Sequence, residues 1–130
     1  MTPADVERCL RDYVEAVNAH DVSRMLADRH PRATLTLMGA TATIETPAEL
    51  DRFYRGLFAA VPGYRVTIDD GVFAEDLGVV WGTVTDAEAT DAADDGVPIV
   101  FVCTFEDGRF RHDRAYADFT RLSARFGLAS

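Results

Sequence analysis

Four strand-like segments follow one another in the second half of the chain, and this constrains the fold more than any other feature. They span residues 64–74, 77–85, 97–105 and 110 to about 122. The connections are too short for the crossover helices that parallel neighbours require, so consecutive segments must pair antiparallel. Asp107 and Gly108, between the last two segments, are typical of a tight hairpin turn. A doubly wound parallel sheet is therefore excluded.

The first half of the chain is mainly helical. Thr2 predicts the cap of a first helix, with proline at its first position, that ends near residues 18–20. Asp21 predicts the cap of a shorter second helix that Pro31 stops. Thr46 begins a capping box followed by a wide apolar stripe, which predicts a third helix that ends before Pro62.

Two connecting regions complete the pattern. Residues 33–45 are rich in threonine around a glycine and predict a two-stranded ribbon. Residues 86–96 hold five acids and predict a solvated loop. We therefore expect residues 1–130 to form a single α+β domain, a curved antiparallel or mixed six-stranded sheet with three helices on its concave side.

Two of the strands are apolar on both faces. Along residues 97–105, the side chains at odd-numbered and at even-numbered positions are both mainly apolar. The same holds for residues 77–85 around Trp81. An antiparallel sheet usually leaves one face wet, and the helices can cover only one face of this sheet. The second apolar face predicts that the chain forms a homodimer.

Composition limits the partners. The formal net charge is −9, and the arginines are spread along the chain, which argues against binding to nucleic acid or to an anionic membrane. A neutral or zwitterionic small molecule fits better. No apolar run is long enough for a membrane span, and the N-terminus lacks the pattern of a secretory signal, so we expect a cytoplasmic protein.

The last strand breaks the apolar pattern in an ordered way. Counting by two, His112, Arg114, Tyr116 and Asp118 share one face. Asp118 lies among aromatic and apolar residues, where a carboxylate is unfavourable unless it is partnered or used. It is therefore the candidate acid of a pocket, or else the structural partner of an arginine or a backbone amide.

The chain resembles the SnoaL-like, polyketide cyclase-like branch of the NTF2-like superfamily. The resemblance runs from about Val6 to Leu128 and rests on four segments, YVEAVNAHDVSRML, FYRGLFAAVPGYRV, WGT and FEDGRFRHDRAYAD. It implies a cone in which a curved sheet and three helices surround a pocket, and commonly a homodimer through the outer face of the sheet. Relatives include cyclases, isomerases, dehydratases, epoxide hydrolases and proteins without demonstrated catalysis.

The resemblance makes Asp118 the pocket acid/base, but the match is incomplete. The partner histidine of the cyclases has no counterpart, because Val100, Val102 and Thr104 occupy the candidate positions. The Asp-Arg-Asp set of the epoxide hydrolases lacks an acid on the facing strand.

Two hypotheses therefore stay open. In the first, Asp118, assisted by Arg114 or His112, performs acid/base chemistry without a cofactor on a polyketide-like ketone, as aldol cyclisation, isomerisation or dehydration. In the second, the pocket only binds an apolar molecule or a hydrophobic side chain of a partner, and Arg114 neutralises Asp118 as a structural pair. An epoxide-hydrolase-like enzyme is a further alternative that the resemblance leaves open. No motif for a metal, nucleotide or flavin is present, so we expect neither metal nor cofactor. In either case the expected ligand-binding residues are Tyr13, Val17, Tyr54, Phe58, Trp81, Phe101, Thr104 and Tyr116.

Overall fold

The computed structural model describes residues 1–38, 42–88 and 96–126. Four helices and six strands follow one another in chain order. They are α1 (Pro3–Asn18), α2 (Val22–Ala27), β1 (Arg29–Met38), β2 (Ala42–Ile44), α3 (Pro47–Ala60), β3 (Tyr64–Ala74), β4 (Leu77–Asp86), β5 (Val97–Glu106), β6 (Arg109–Ala117) and α4 (Phe119–Phe126).

The six strands form one mixed sheet in the order β2-β1-β6-β5-β4-β3. Every neighbouring pair is antiparallel except β1 and β6, which run parallel. Helix α1 packs on β3 and β4, and α3 packs near β1, so these helices cover one face of the sheet. The predicted α+β fold with a curved mixed sheet is confirmed.

The predicted helix starts are also confirmed. Thr2 accepts a hydrogen bond from the backbone N–H of Asp5, and the Asp5 carboxylate accepts one from the backbone N–H of Thr2, which completes a capping box. Asp21 and Thr46 cap α2 and α3 through their side chains. No helix within the described part of the chain is long and apolar enough to cross a membrane.

The prediction that Pro31 stops α2 is wrong. Helix α2 ends at Ala27, and Pro31 lies inside β1, at an exposed position. The pairing of β1 with β6 is irregular between Arg29 and Thr34. A proline, which has no N–H to donate, is tolerated where ladder pairing is interrupted.

The predicted end of the last strand is wrong as well. Strand β6 ends at Ala117, and the following residues form α4, which the sequence pattern did not indicate. Asp118 is exposed, and its Oδ1 accepts a hydrogen bond from the backbone N–H of Arg121 at 3.0 Å. Its carbonyl oxygen accepts another from Leu122. Asp118 therefore caps a helix.

A register shift decides which residues of β6 face the helices. Phe105 pairs with Phe110, but Thr104 pairs with His112, so β6 holds one extra residue at this point. Phe110 and Asp113 are consequently both buried although they are three residues apart. Counting by two from Phe110 therefore assigned the residues after it to the wrong faces.

Glycine lets α1 approach the sheet closely. Gly78 of β4 is buried, and a Cβ there would lie 2.4 Å from Cδ1 of Leu10 and 2.8 Å from Cγ1 of Val6. Only a residue without a side chain fits below these two core residues of α1. The close approach places the next inward turn of α1, with Tyr13, over the sheet.

The predicted turn at Gly39 and Ala40 lies outside the described residues. The same holds for residues 89–95 of the predicted acidic loop.

Candidate functional site

A buried ion pair lies between the sheet and the helices. Nη2 of Arg29, the first residue of β1, donates to Oδ2 of Asp113 on β6 at 2.9 Å. The two side chains are only 4% and 0% exposed. Burying both charges requires strong compensation, because each loses its hydration. The pair is therefore the most demanding polar feature of the interior.

Two tyrosines extend this pair towards the helices. The hydroxyl of Tyr13 on α1 hydrogen-bonds the hydroxyl of Tyr54 on α3. Nη2 of Arg29 also donates to Oη of Tyr54, at 3.3 Å. On the sheet side, Sγ of Cys103 lies 3.6 Å from Oδ1 of Asp113 and donates to it. We call Arg29, Asp113, Tyr13, Tyr54 and Cys103 the interior cluster.

Part of the Arg29 guanidinium has no hydrogen-bond partner. Nε and Nη1 are buried and donate to no atom of the residues that the structure describes. Aromatic rings surround the group instead, with Cζ 5.1 Å from the ring centre of Tyr13 and 5.4 Å from that of Phe110. Cation–π attraction stabilises the charge, but it does not replace the hydrogen bonds that a buried N–H requires.

Burial keeps the cluster's weak acids protonated at neutral pH. Burial, opposed by Arg29 and reinforced by Asp113, raises the pKa of Tyr54 to about 12. Burial, followed by Tyr54 and Asp113, raises the pKa of Tyr13 well above its usual value. Burial and then Asp113 also raise the pKa of Cys103. The interior thus offers neutral hydroxyl groups and one arginine as hydrogen-bond donors.

The ligand-binding residues predicted from the sequence are divided between the two faces of the sheet. Tyr13 and Tyr54 belong to the interior cluster. Three others, Val17, Phe58 and Phe101, are buried among the core residues around it. The remaining three lie on the opposite face, which we call the outer face, and cannot contact an interior ligand; they are Trp81, Thr104 and Tyr116.

The predicted catalytic set is not brought together inside the cone. His112 and Arg114 are half-buried and pair with Thr104 and Val102, outer-face residues of β5. Nδ1 of His112 lies 3.1 Å from Oγ1 of Thr34, and burial, then Arg111 and Arg114, lower the pKa of this histidine. Asp118 is exposed.

The prediction that Asp118 faces an enclosed pocket is therefore corrected. The physical reason is the helix cap, since the carboxylate is held by a backbone N–H of α4 outside the cone.

The sequence analysis missed Arg29 and Asp113 and treated Cys103 only as a buried apolar residue. A signal for Asp113 did exist, because it alternates with Ala115 and Ala117, two small residues that leave space on the inward face. Arg29 gave no comparable signal, because it lies at the boundary between a helix and a strand in a polar stretch.

Two clefts border the interior. The larger, of about 270 Å³, lies between α1 and strands β3 and β4. The smaller, of about 50 Å³, lies against Tyr13 and Phe110 and is therefore the one that touches the interior cluster. The described residues contain no group of three or more His, Cys, Asp or Glu side chains that could hold a metal ion.

Replacing Arg29 tests the ion pair. We expect Arg29→Met to lower the free energy of unfolding by about 3–5 kcal/mol, because the Asp113 carboxylate is left buried without its partner. The double variant Arg29→Met/Asp113→Leu should regain most of this loss, since it removes both charges. Urea unfolding measures both effects, and a double variant less stable than Arg29→Met would contradict the interpretation.

Alkaline pH tests the burial of the tyrosine pair. The folded-state pKa of Tyr54, about 12, exceeds the 10.0 of a free phenol. A raised pKa gives stability that is complete below the unfolded-state pKa and is lost as the pH rises through the folded-state value. We therefore expect the free energy of unfolding to fall between pH 10 and pH 12, and to fall less steeply in Tyr54→Phe. If the free energy of unfolding falls equally steeply with pH in the wild type and in Tyr54→Phe, the group that ionises is not Tyr54.

Similar structures share this architecture. A protein with a ketosteroid isomerase-like fold from Catenulispora acidiphila, in complex with trimethylamine, has a TM-score of 0.78 at 15% identity, covering 99% of this chain and 96% of its own. TerC co-crystallised with polyporic acid has a TM-score of 0.76 at 19% identity, covering 95% and 98%. A candidate polyketide cyclase from Sinorhizobium meliloti has a TM-score of 0.71 at 16% identity, covering 88% and 99%.

No curated protein matches this sequence. The family model of the SnoaL-like domain matches residues 10–112. This range takes in the second half of α1, with Tyr13, all of α3, with Tyr54, and the sheet up to the start of β6. With the fold and the family model in agreement, the chain belongs to the SnoaL-like domain family.

Proposed function

We propose that this protein binds a small, mainly apolar or polyketide-like organic molecule inside the cone, and that the interior cluster holds an oxygen atom of that molecule. The observation that carries the proposal is the pair of buried, unpartnered donors Nε and Nη1 of Arg29. A buried donor without a partner costs about 1–3 kcal/mol, and a ligand oxygen would remove this penalty.

The charges favour a neutral oxygen. Asp113 already balances Arg29, so an anionic ligand would add an uncompensated charge to the interior. A carbonyl group accepts hydrogen bonds without adding charge. The hydroxyl pair of Tyr13 and Tyr54, next to Arg29, supplies one further donor to such a group, because the other hydroxyl hydrogen is used between the two tyrosines.

Binding requires the interior to open. The cleft beside Tyr13, of about 50 Å³, is smaller than an organic molecule of two rings. Side chains around the cluster must therefore move apart when the ligand enters. The relatives give this proposal further support, because TerC has been crystallised with an organic compound, polyporic acid.

A ketone and its hydrocarbon analogue test the proposal. We expect 1-tetralone to bind about tenfold more tightly than tetralin, because a hydrogen bond to a charged donor contributes about 1.5 kcal/mol or more. Tyr54→Phe should reduce this preference, whereas Tyr116→Phe, a change of an exposed tyrosine on the outer face, should not. The carbonyl stretching frequency of bound 1-tetralone should shift to lower values in the wild type. Failure of both compounds to bind would refute a ligand site in the cone.

Catalysis is the second candidate function, and Asp113 is the observation that favours it. Its carboxylate lies on the same cluster as the donors that would polarise a ketone. It could take a proton from the carbon next to the carbonyl and return it, while the tyrosines and Arg29 stabilise the enolate oxygen. In this proposal Asp113 takes the acid/base role that the resemblance implied for Asp118. The reaction would be a cyclisation, isomerisation or dehydration without a cofactor.

Hydrogen exchange separates the two candidates without a known substrate. In deuterated buffer, an enzyme of this kind should accelerate deuterium incorporation at the carbon next to the carbonyl of 1-tetralone. Asp113→Asn, measured at a temperature at which circular dichroism shows the variant to be folded, should abolish the acceleration while binding persists. If 1-tetralone binds but incorporates deuterium no faster than in buffer alone, the catalytic candidate is rejected and the protein is a binding domain. Mass spectrometry of the recovered ketone gives the rate.

We also propose that the outer face forms a homodimer. Val79, Trp81, Val100 and Val102 are half-buried there, and Tyr116 is 41% exposed. Apolar side chains gathered on the face opposite α1 and α3 favour an interface with a second copy of the chain.

Light scattering tests the dimer. Size-exclusion chromatography with light scattering should give about twice the chain mass of 14.3 kDa. Val102→Glu should give a folded monomer, because the charge would be buried in the interface. Ala59→Glu, at an exposed position of α3, is the matched control and should remain dimeric. A monomeric wild type would refute the proposal.

A further inference from the structure

Strand β3 lies at one edge of the sheet that the described residues form. It is the last strand of the described sheet order, and only β4 pairs with it. Edge strands present backbone N–H and C=O groups that another chain can pair with. Another chain can pair with β3 only where no other group already occupies these positions.

One side chain occupies part of the edge as a strand would. Asn18, the last residue of α1, donates through Nδ2 to the carbonyl oxygen of Val66 at 2.9 Å. Its Oδ1 accepts from the N–H of the same residue at 2.8 Å. A neighbouring antiparallel strand makes this same pair of bonds to a single residue. The edge at Val66 therefore accepts an amide in the position of an added strand.

An apolar cleft continues from this point along the edge. It measures about 270 Å³ and runs between one side of α1 and β3. Gly71 helps to keep it open, because a Cβ there would lie 2.7 Å from Cζ of Phe73 and 2.9 Å from Cγ1 of Val80. The apolar lining comes from Leu10, Val14, Ile68, Phe73 and Val80.

The rim of the cleft is acidic. Asp70 lines it, and Asp69 is exposed next to Asp70. Glu15 also lines it but pairs with Arg24, whose Nη1 lies 3.6 Å from Oε1, so the acidic character rests on Asp69 and Asp70. The one cation of the lining, Arg11, is engaged by Glu7, with Nη2 2.7 Å from Oε2. The chain itself carries a formal charge of −9. Charge complementarity therefore favours a basic partner.

We propose that the cleft between α1 and β3 binds an extended basic peptide. The peptide adds as a strand to the edge of β3 beyond Asn18 and places one large apolar side chain in the cleft, as in other complexes where a peptide pairs with a sheet edge beside a helix. This site is separate from the interior cluster and does not depend on the function proposed for it. The cleft favours a peptide as the occupant of this edge. An edge that is only protected from aggregation does not require an apolar cavity beside it.

The opposing interpretation rests on the same strand. The register of β3 shifts between Ile68 and Asp70, and bulges and exposed acids are devices that protect edges from pairing. If protection is their only role, no peptide binds, whatever its charge.

A labelled peptide tests the proposal. The probe is a fluorescein-labelled heptapeptide, Lys-Val-Lys-Phe-Lys-Val-Lys, and fluorescence anisotropy measures its affinity for the full chain. Replacing its lysines by glutamates should weaken binding about tenfold or more, and so should prolines on both sides of the phenylalanine, which remove N–H donors. Equal binding of the three peptides, or no binding, would overturn the proposal.

Two variants locate the site. Val14→Trp fills the cleft and should weaken binding of the basic peptide about tenfold, whereas Ala59→Trp, on the exposed side of α3, should leave it within about twofold. Amide chemical shifts in the wild type should change at residues 66–73 and along α1. The proposal would be overturned if the shifts were confined to the cone, or if a second copy of the chain, and not the peptide, occupied the edge of β3. Either result would leave the function proposed for the cone untouched.

Discussion

The ion pair between Arg29 and Asp113 is the interaction on which the rest of the interior depends. It joins β1 to β6, and among the strands that the structure describes these are the only parallel neighbours. Two charges without hydration are stable only while their partners stay in place. Tyr54 accepts a hydrogen bond from Arg29, and Tyr13 forms a hydrogen bond with Tyr54. These two bonds therefore fix the positions of α3 and α1 over the sheet. A change in any of these groups affects both helices and both strands.

The same pair limits what the interior can do. With Asp113 as counter-charge the cluster is close to neutral, and its spare hydrogen-bonding capacity consists of donors. Donors in a dry, low-dielectric site stabilise a negative charge that develops on a ligand far better than they would in water. A purely structural ion pair would need no spare donors, because every buried N–H without a partner lowers stability. The unpartnered nitrogens of Arg29 are thus the observation on which the proposed ligand site rests.

The fold was largely predictable from the sequence, because it depends on local signals. Caps at Thr2, Asp21 and Thr46 and short connections between strands predict the helices and the antiparallel pairing without reference to distant residues. The site was predicted only through its two tyrosines. One extra residue near the start of β6 exchanges the inward and outward faces, and nothing in the local pattern indicates it. Asp113 was therefore placed outside and Asp118 inside. Arg29 could not be found, because its partner lies 84 residues away.

The molecule separates three chemically different surfaces on one sheet. The helix-covered face is buried and carries paired charges, the outer face carries half-buried valines on β4 and β5, and the edge of β3 is acidic beside an apolar cleft. Because α1 contributes Tyr13 to the first surface and Asn18 to the third, one helix connects the interior to the edge. A ligand that moves Tyr13 when it opens the interior would also move α1 relative to β3, since α1 carries Tyr13 and packs on β3 and β4. A shift of α1 changes the width of the cleft directly, so occupation of either site would alter the affinity of the other by the same factor.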